Sequence, residues 1–203
     1  MGELLKDKVA IITGGAGGIG SRIARAYAGE GARVVVASRK KENLEVIVDD
    51  ILANGGEALA VATDVTNPED VEALVQATQE SFGAADIMVN NAGGAMFMKP
   101  PEKLKPEEWD ATIALNLSSV FFCSQAVSHG MIEKKGGKII NISSVAGIRM
   151  SPAFIQYGAA KAGVINLTKS IASCCGPYNI NVNCIEPGLT ATEGVAHWLP
   201  SKT

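Results

Sequence analysis

The chain has 203 residues, of which 47% are hydrophobic and 19% charged, and its formal net charge is −3. This composition excludes a disordered, collagen-like or disulfide-rich chain, and 18 lysines and arginines against 21 aspartates and glutamates give no basic excess for binding nucleic acid. No window reaches the roughly 18 uninterrupted apolar residues that span a membrane, and the first residues contain no signal-peptide core, so we expect no membrane partner.

Short apolar runs alternate with helical patterns from one end of the chain to the other. The predicted strands are Val9–Thr13, Arg33–Ser38, Ala58–Thr63, Ile87–Asn90, Lys138–Ile142 and Asn181–Glu186. The predicted helices run from near Ile19 to Gly29, over Glu42–Ala53, from Pro68 to Phe82, from Pro106 to Met131 and over Ile155–Cys175. This alternation predicts a single α/β domain over residues 1–203, a three-layer Rossmann-like fold with a doubly wound parallel sheet.

A glycine-rich turn follows the first predicted strand. Gly14, Gly18 and Gly20 come soon after Thr13, and a helix is predicted to begin near Ile19. Glycines allow the backbone to approach a phosphate closely, and the N–H groups at a helix N-terminus attract anions. Ligands of parallel sheets bind at the carboxyl ends of the strands, so this turn indicates a dinucleotide site at Gly14, Gly18, Ile19 and Gly20.

Further motifs follow in order along the chain. They are Asn90-Asn91-Ala92-Gly93 after the fourth strand, Asn116 in the long helix, Ser144, Tyr157 with Lys161 four residues later, and Pro187-Gly188 with Thr192 after the sixth strand. Together with the Thr-Gly-x-x-x-Gly-x-Gly turn, they resemble the short-chain dehydrogenase/reductase family over essentially the whole chain. The resemblance implies an oxidoreductase that transfers hydride between a nicotinamide cofactor and a secondary alcohol or ketone.

By this resemblance, Asn116, Ser144, Tyr157 and Lys161 form the catalytic set. Tyr157 and Lys161 lie four residues apart, so a helix presents them on one face. A free tyrosine has a pKa of about 10, and a nearby ammonium together with an oxidised nicotinamide is expected to lower it. Tyr157 would then be the general acid/base, with Ser144 polarising the carbonyl. The resemblance gives Asn116 a water that relays protons by way of Lys161, which also anchors the ribose.

The end of the second strand bears on the choice between NADP and NAD. Ser38 and Arg39 stand where NAD-specific relatives have an acidic residue, and the first carboxylate is Glu42. Arg39 can pair with a 2′-phosphate, which favours NADP. Gly17 occupies a position at which NADP-binding relatives have a basic residue, so NAD stays possible. The other expected cofactor contacts, besides Tyr157 and Lys161, are Asp64, Val65, Asn91, Ala92, Gly93, Pro187, Gly188 and Thr192.

The expected substrate pocket is mostly apolar, which favours a ketone or secondary alcohol with an aliphatic or ring body. Its expected lining consists of Gly94, Ala95, Met96, Phe97, Val145, Ala146, Met150, Phe154 and Leu189. Arg149 is the one candidate for holding a substrate carboxylate. Of the expected cofactor contacts, Asp64 has an alternative interpretation as a turn residue before the third helix. A 3-oxoacyl-thioester reductase is an open alternative to a general alcohol dehydrogenase. A non-catalytic dinucleotide-binding protein stays open too, as does an inactive truncated subunit, because the chain ends at Thr203, inside the substrate lid that the resemblance implies.

The remaining residues indicate few other partners. His129 and His197 have no acidic partners at ligand spacing, so no metal site is expected. Four cysteines without CxxC spacing indicate small buried side chains in a reducing compartment, so we expect a cytoplasmic protein. The resemblance implies a homodimer or homotetramer formed through the two long helices. Adjacent Phe121 and Phe122 fit such an interface, because together they exceed what one buried helix face absorbs.

Overall fold

A parallel sheet of six strands organises the molecule in a computed structural model, which describes residues 2–192. The strands are β1 Val9–Thr13, β2 Arg33–Ser38, β3 Glu57–Ala62, β4 Ile87–Asn90, β5 Gly137–Ile142 and β6 Ile180–Ile185. Their order across the sheet is β3-β2-β1-β4-β5-β6. The direction of winding reverses between β1 and β4, and in such sheets the crevice at that reversal is where ligands bind.

Helices cover both faces of this sheet, which confirms the doubly wound α/β fold. They are α1 Gly18–Gly29, α2 Lys41–Ala53, α3 Pro68–Phe82, α4 Pro106–Ile113, α5 Ser119–Glu133 and α6 Ile155–Cys175. Short 3₁₀ turns lie at residues 101–103, 145–147 and 176–178. The strand and helix boundaries agree with the sequence pattern to within two residues, and the differences are of the size expected for frayed ends.

The long helix predicted from Pro106 to Met131 is interrupted. Residues Ala114–Ser118 form a π-helical turn between α4 and α5, and α5 continues to Glu133. The turn contains Asn116, which is fully buried and whose side chain bonds to the backbone of Gly94 outside the helix. A π turn changes the backbone hydrogen bonding over a few residues but hardly changes the spacing of the apolar residues. The sequence pattern therefore predicts one continuous helix.

The core forms two layers, one on each face of the sheet. Val34, Val35 and Val36 of β2 are fully buried and alternate between the two layers. A strand covered on both faces is apolar at every position, which is why β2 shows a continuous apolar run instead of an alternating one. The carboxyl ends of these rigid strands carry the loops that form the candidate site.

The segment Pro106–Glu133 is the one stretch of residues 2–192 that is long and apolar enough to cross a membrane, by length and composition alone. One side of it belongs to the protein core, because Val120, Cys123, Val127 and Met131 are at most 3% exposed. The buried helix of a globular core meets the same criteria as a membrane span, and we assign this segment to the core.

Candidate active site

The buried end of β1 is tied to the segment that follows β4. Thr13 Oγ1 accepts hydrogen bonds from the backbone N–H groups of Asn91 at 3.0 Å and Ala92 at 3.1 Å. In return, Asn91 Nδ2 donates to Thr13 O at 2.9 Å and to Gly14 O at 3.2 Å. These four bonds hold the glycine turn and the Asn91 loop in one fixed arrangement.

The glycine turn has no room for side chains at Gly14 and Gly20, the glycines at its two ends. Gly14 and Gly18 have φ values of +64° and +55°, in the left-handed region that favours glycine. A Cβ at Gly20 would overlap the Gly14 carbonyl oxygen, and a Cβ at Gly14 would lie 2.8 Å from Asn91 Nδ2. The N-cap of α1 is Gly17, which has no side chain to cap the first turn that contains Ile19. The result is a cradle of bare backbone at a helix N-terminus, which suits a phosphate group.

The segment after β6 connects the Ser144 loop with this cradle. Pro187 O accepts a hydrogen bond from Val145 N at 3.1 Å. At the other end, Thr192 Cγ2 lies 3.5 Å from the position that a Cβ at Gly18 would occupy. Gly188, between them, is exposed. The segment therefore borders the region through which an extended dinucleotide would run.

Arg39 and Asp64 lie close together beyond the ends of β2 and β3. Thr66 donates its hydroxyl to Asp64 Oδ1 at 2.7 Å and its N–H at 3.0 Å. These bonds, with a smaller contribution from the Arg39 guanidinium, lower the pKa of Asp64. Asp64 thus closes a local turn and also faces an exposed arginine. Ser38 completes this corner, with its hydroxyl donating to Lys40 O at 3.4 Å.

Val65 differs from the other expected cofactor contacts. Its side chain is 5% exposed and packs in the core layer that contains Val35 and Val71. A cofactor contact at Val65 can therefore involve only its backbone atoms. Burial of this side chain also explains why an apolar residue follows Asp64 at the end of the third strand.

Three of the expected catalytic residues come together at one end of α6. Lys161 is 3% exposed, and its Nζ donates to Ile142 O at 2.9 Å. The same Nζ lies 5.6 Å from the centre of the Tyr157 ring. Ser144, which follows β5, lies beside the Tyr157 side chain, near enough for its hydroxyl to lower the pKa of the phenol. A phenol, a hydroxyl and a buried amine thus surround one small volume.

The pKa of Tyr157 differs from the sequence-based expectation. Burial raises the pKa of Tyr157, and the neighbouring Ser144 hydroxyl offsets this only in part. Burial also lowers the pKa of Lys161 to about 8. Because the Lys161 ammonium is desolvated and directed at Ile142 O, it does not offset the burial of a phenolate. The lowered tyrosine pKa was expected from Lys161 together with an oxidised nicotinamide, and Lys161 alone does not produce it.

Asn116 lies near Lys161, and Gly93 is close to both side chains. Its Oδ1 accepts from Gly94 N at 2.9 Å, and its Nδ2 donates to Gly94 O and Thr112 O, each at 3.1 Å. Gly93, with φ +154°, has no space for a Cβ, which would lie 2.6 Å from Asn116 Oδ1 and 3.2 Å from Lys161 Nζ. Both Nδ2 hydrogens of Asn116 are used in these bonds, so the side chain can take part in a proton relay only by accepting a further hydrogen bond at Oδ1.

Arg149 does not lie with the catalytic group. It is exposed and lines a groove of about 410 Å³ together with Gly158, Ala159 and Ala162 of α6. The lining of this groove includes none of the expected catalytic side chains. A substrate carboxylate held by Arg149 is therefore not supported.

The other sequence expectations concern histidines and the end of the chain. Within residues 2–192, no group of three His, Cys, Asp or Glu side chains is arranged to hold a metal ion. His197 lies outside the described residues, and so does the C-terminal segment with the expected lid, Leu199–Thr203.

Comparison with known proteins shows the family. A family model described as short chain dehydrogenase matches residues 8–202. This chain belongs to the short-chain dehydrogenase family. Members of the family use NAD or NADP as nicotinamide cofactors and act on CH–OH or keto groups of small molecules, so the resemblance and the oxidoreductase assignment are confirmed.

This short-chain dehydrogenase has well-described relatives. A 3-oxoacyl-[acyl-carrier-protein] reductase of Synechocystis sp. is 42% identical over 193 residues, which cover 93% of this chain and 76% of the relative. A D-threitol dehydrogenase of Mycolicibacterium smegmatis is 38% identical over 189 residues, with 93% and 72% covered. The crystal structure of a short-chain type dehydrogenase/reductase from Mycobacterium marinum has a TM-score of 0.92 at 36% identity, with 96% of this chain and 77% of that chain covered.

The sequence expectation for this short-chain dehydrogenase left out the role of Thr13. The motif includes this residue, but its side chain was not among the expected contacts. Thr13 is 1% exposed, and its hydroxyl is the joint between the glycine turn and the Asn91 loop. The available signal was a hydroxyl at the buried end of a strand, because a buried hydroxyl requires hydrogen-bond partners.

Proposed function

We propose that this short-chain dehydrogenase transfers hydride between NADP(H) and a ketone or secondary alcohol, with Tyr157 as the general acid/base. The observation that supports this most strongly is that the Tyr157 phenol lies beside the Ser144 hydroxyl, with the buried Lys161 Nζ 5.6 Å from the centre of the tyrosine ring. A proton donor, a second hydroxyl and a cation around one volume are the groups that reduction of a carbonyl requires.

In the direction of reduction, the Ser144 hydroxyl binds the carbonyl oxygen and polarises it. Tyr157 donates its phenolic proton to the same oxygen, which becomes the hydroxyl of the product. When bound, the nicotinamide supplies the hydride that the carbonyl carbon receives. The tyrosinate left behind is disfavoured by burial, and the neighbouring Ser144 hydroxyl offsets this in part. Oxidation of an alcohol uses the same groups in reverse.

The residues of the cradle fit a dinucleotide. Gly14, Gly18 and Gly20 leave bare backbone at the N-terminus of α1, and Gly93 leaves the space beside Lys161 open. Asn91 and Ala92 line the same crevice through their bonds with Thr13. These contacts suit the phosphates and the nicotinamide end, which NADP and NAD share.

NADP is the proposed cofactor because of the residues at the adenine end. Arg39 is exposed after β2 and lies near Asp64, so its guanidinium can receive a 2′-phosphate in a fork-like pair. Ser38 offers a hydroxyl next to it. A carboxylate for a ribose 2′-hydroxyl is absent from Ser38 to Lys41. NAD remains the second candidate, since Gly17 supplies no positive charge.

A 3-oxoacyl thioester is the proposed substrate class, in preference to a polyol. The relative from Synechocystis sp., named as a 3-oxoacyl-[acyl-carrier-protein] reductase, is 42% identical to this chain. The side chains around the candidate pocket are apolar, with Phe97, Met98 and Leu189 at least 37% exposed. Such a surface matches an acyl chain better than the hydroxyl groups of a sugar alcohol.

We also propose that residues 1–203 form one catalytic domain and assemble as a homodimer or homotetramer through α5 and α6. One sheet that contains all six described strands supports the single domain. Phe121, 43% exposed on α5, supports the assembly.

A cytoplasmic location is supported by the four free thiols, although Cys174 is exposed where we expected burial.

The proposal is tested by the loss of NADPH absorbance with acetoacetyl-CoA and a panel of ketones. Tyr157→Phe should lower kcat/KM at least about a hundredfold while changing the Kd for NADPH less than about twofold. Tyr178→Phe is the control, because Tyr178 is exposed and remote from Ser144, and it should keep full activity.

Other outcomes identify the alternatives. Wild-type protein that binds NADPH but reduces none of the substrates would favour a non-catalytic dinucleotide-binding protein. Protein that binds neither NADPH nor NADH would favour an inactive subunit. Full activity in Tyr157→Phe would contradict the assignment of the acid/base.

A further inference from the structure

Gln156 is a buried polar residue immediately before Tyr157 in α6. Its side chain is 0% exposed. Its Nε2 donates to two backbone carbonyls, Met96 O at 2.6 Å and Phe97 O at 2.9 Å. Both carbonyls belong to residues 91–100, which follow β4 without regular secondary structure. A single amide group thus joins the catalytic helix to this segment.

The segment needs such support at Phe97. This residue has φ +53°, a left-handed conformation that is unfavourable for a side chain with a Cβ. Phe97 and Met98 are 37% and 48% exposed, so burial does not hold them in place. Within residues 2–192, the hydrogen bonds that hold the backbone of Met96 and Phe97 are the two from Gln156.

The acceptor end of the same amide supports this view. Gln156 Oε1 is buried and has no hydrogen-bond partner among residues 2–192. An unpaired buried acceptor is unfavourable, and an apolar side chain at this position would avoid it. A glutamine that uses only its donors is explained by the need to bind the two carbonyls.

Gln156 is the middle of three anchors on the segment. Gly94 is bound by the Asn116 side chain, and Lys99 forms an ion pair with Glu108 of α4. These outer anchors connect the segment to α4 and the π turn. The Gln156 bonds connect it to α6, the helix that carries the reacting phenol.

We propose that Gln156 is a positioning residue, which holds Met96–Met98 as a wall of the substrate pocket at a fixed place relative to Tyr157. This inference rests on the proposed role of Tyr157 as the acid/base. A small displacement of a substrate from a reacting group reduces the fraction that is bound productively. Gln156 therefore acts on the substrate through the backbone of the wall, without touching the cofactor cradle.

The test compares Gln156→Met and Gln156→Glu with the wild type. Methionine keeps the length of the side chain and removes both donors, so the KM for the carbonyl substrate should rise about tenfold. The kcat should change less than about threefold, and the Kd for NADPH less than about twofold, because the wall is separate from the cradle. Gln79→Glu, on the exposed face of α3, is the control for the charge change and should have no effect.

Gln156→Glu adds a signature that a merely structural role would not produce. A protonated carboxyl donates one hydrogen bond, whereas a carboxylate would face two carbonyl oxygens and repel them. The KM of Gln156→Glu should therefore rise with pH over the range from about 6 to 8 relative to that of the wild type, while the KM of Gln156→Met follows the pH dependence of the wild type. A KM unchanged in both variants would overturn the proposal, and so would an equal loss of NADPH affinity.

Limited proteolysis separates this inference from the proposed function. Chymotrypsin should cleave after the exposed Phe97 about tenfold faster in Gln156→Met than in the wild type or Gln79→Glu, because the segment is no longer held. If the wild type reduces no substrate, the proposed function fails, whereas the cleavage rates still decide whether Gln156 holds the wall. Unchanged cleavage after Phe97 would overturn the inference even if Tyr157 proves catalytic.

Discussion

The ammonium of Lys161 lies 2.9 Å from the carbonyl oxygen of Ile142, at a place where only 3% of the lysine is exposed. The bond uses one of its three donors, and burial lowers the pKa of the amine from 10.5 to about 8. The folded chain thus holds, at the centre of its site, a charge that the fold disfavours. Groups of this kind are typical of functional sites, where catalysis and stability place different demands on one residue.

Replacing Lys161 by methionine should therefore stabilise the protein and abolish its activity. At pH 7 the amine is protonated in both the folded and the unfolded chain, and its lowered pKa corresponds to roughly 3 kcal/mol against folding. Methionine removes this penalty but leaves Ile142 O without its donor, which costs about 1 kcal/mol. Urea denaturation should show a gain of about 2 kcal/mol for Lys161→Met at pH 7.

The gain should shrink as the pH rises. Between about pH 8 and 10.5 the folded chain has released the lysine proton while the unfolded chain retains it, so wild-type stability from this group increases with pH. Lys169→Met, on the exposed side of the same helix, is the control and should change stability little at either pH. An equal gain for Lys161→Met at pH 7 and at about pH 10 would contradict the argument.

The strands of the sheet could be predicted from the sequence, because a strand that is buried on both faces consists of consecutive apolar residues. The run Val34–Ala37 is apolar at every position, and its neighbours show the same signal. The π turn could not be predicted, since it depends on a contact between Asn116 and Gly94, 22 residues apart. The raised pKa of Tyr157 likewise follows from tertiary burial, which no spacing between Tyr157 and Lys161 reveals. Motifs identify which residues meet, whereas their protonation depends on how the rest of the chain covers them.

Of two glycines of the turn, Gly20 should be damaged by a single added methyl group and Gly17 should tolerate one. In Gly20→Ala the new Cβ would overlap Gly14 O, which is backbone and cannot move aside cheaply. We expect the Kd for NADPH to rise at least about tenfold, with a loss of stability of about 1–3 kcal/mol from overpacking. Isothermal titration calorimetry and urea denaturation measure the two effects.

Gly17→Ala is the matched control for this change. Gly17 has an extended φ of −171°, and a Cβ there has no atom within 4 Å in the described part of the chain. Its NADPH affinity and stability should remain within error of the wild type. Equal damage in both variants would mean that the turn responds to lost backbone flexibility and not to the close approach at Gly20.

Arg39→Asp should reverse the preference between the two nicotinamide cofactors. Removing the guanidinium loses a charge-assisted pair with the 2′-phosphate, and the new carboxylate can instead accept from a ribose hydroxyl. The kcat/KM for NADPH should fall about 10- to 100-fold relative to that for NADH. Arg149→Asp makes the same change in charge on an exposed arginine far from β2 and should leave the ratio unaltered. A ratio unaffected by Arg39→Asp would refute the assignment of NADP.

Phe121→Glu should separate the copies of the proposed assembly. Phe121 is 43% exposed on α5 and packs edge-to-face on Phe122, with ring centres 6.0 Å apart. A charge placed in the centre of an interface between helices has no partner there and weakens association by several kcal/mol, roughly 2–4 for a central aromatic residue. Light scattering at micromolar concentration should give the mass of one chain for Phe121→Glu and a multiple of it for the wild type. Val46→Glu, with Val46 63% exposed on α2, is the control and should keep the wild-type mass. A wild type with the mass of a single chain would show instead that the exposed phenylalanine is not an interface residue.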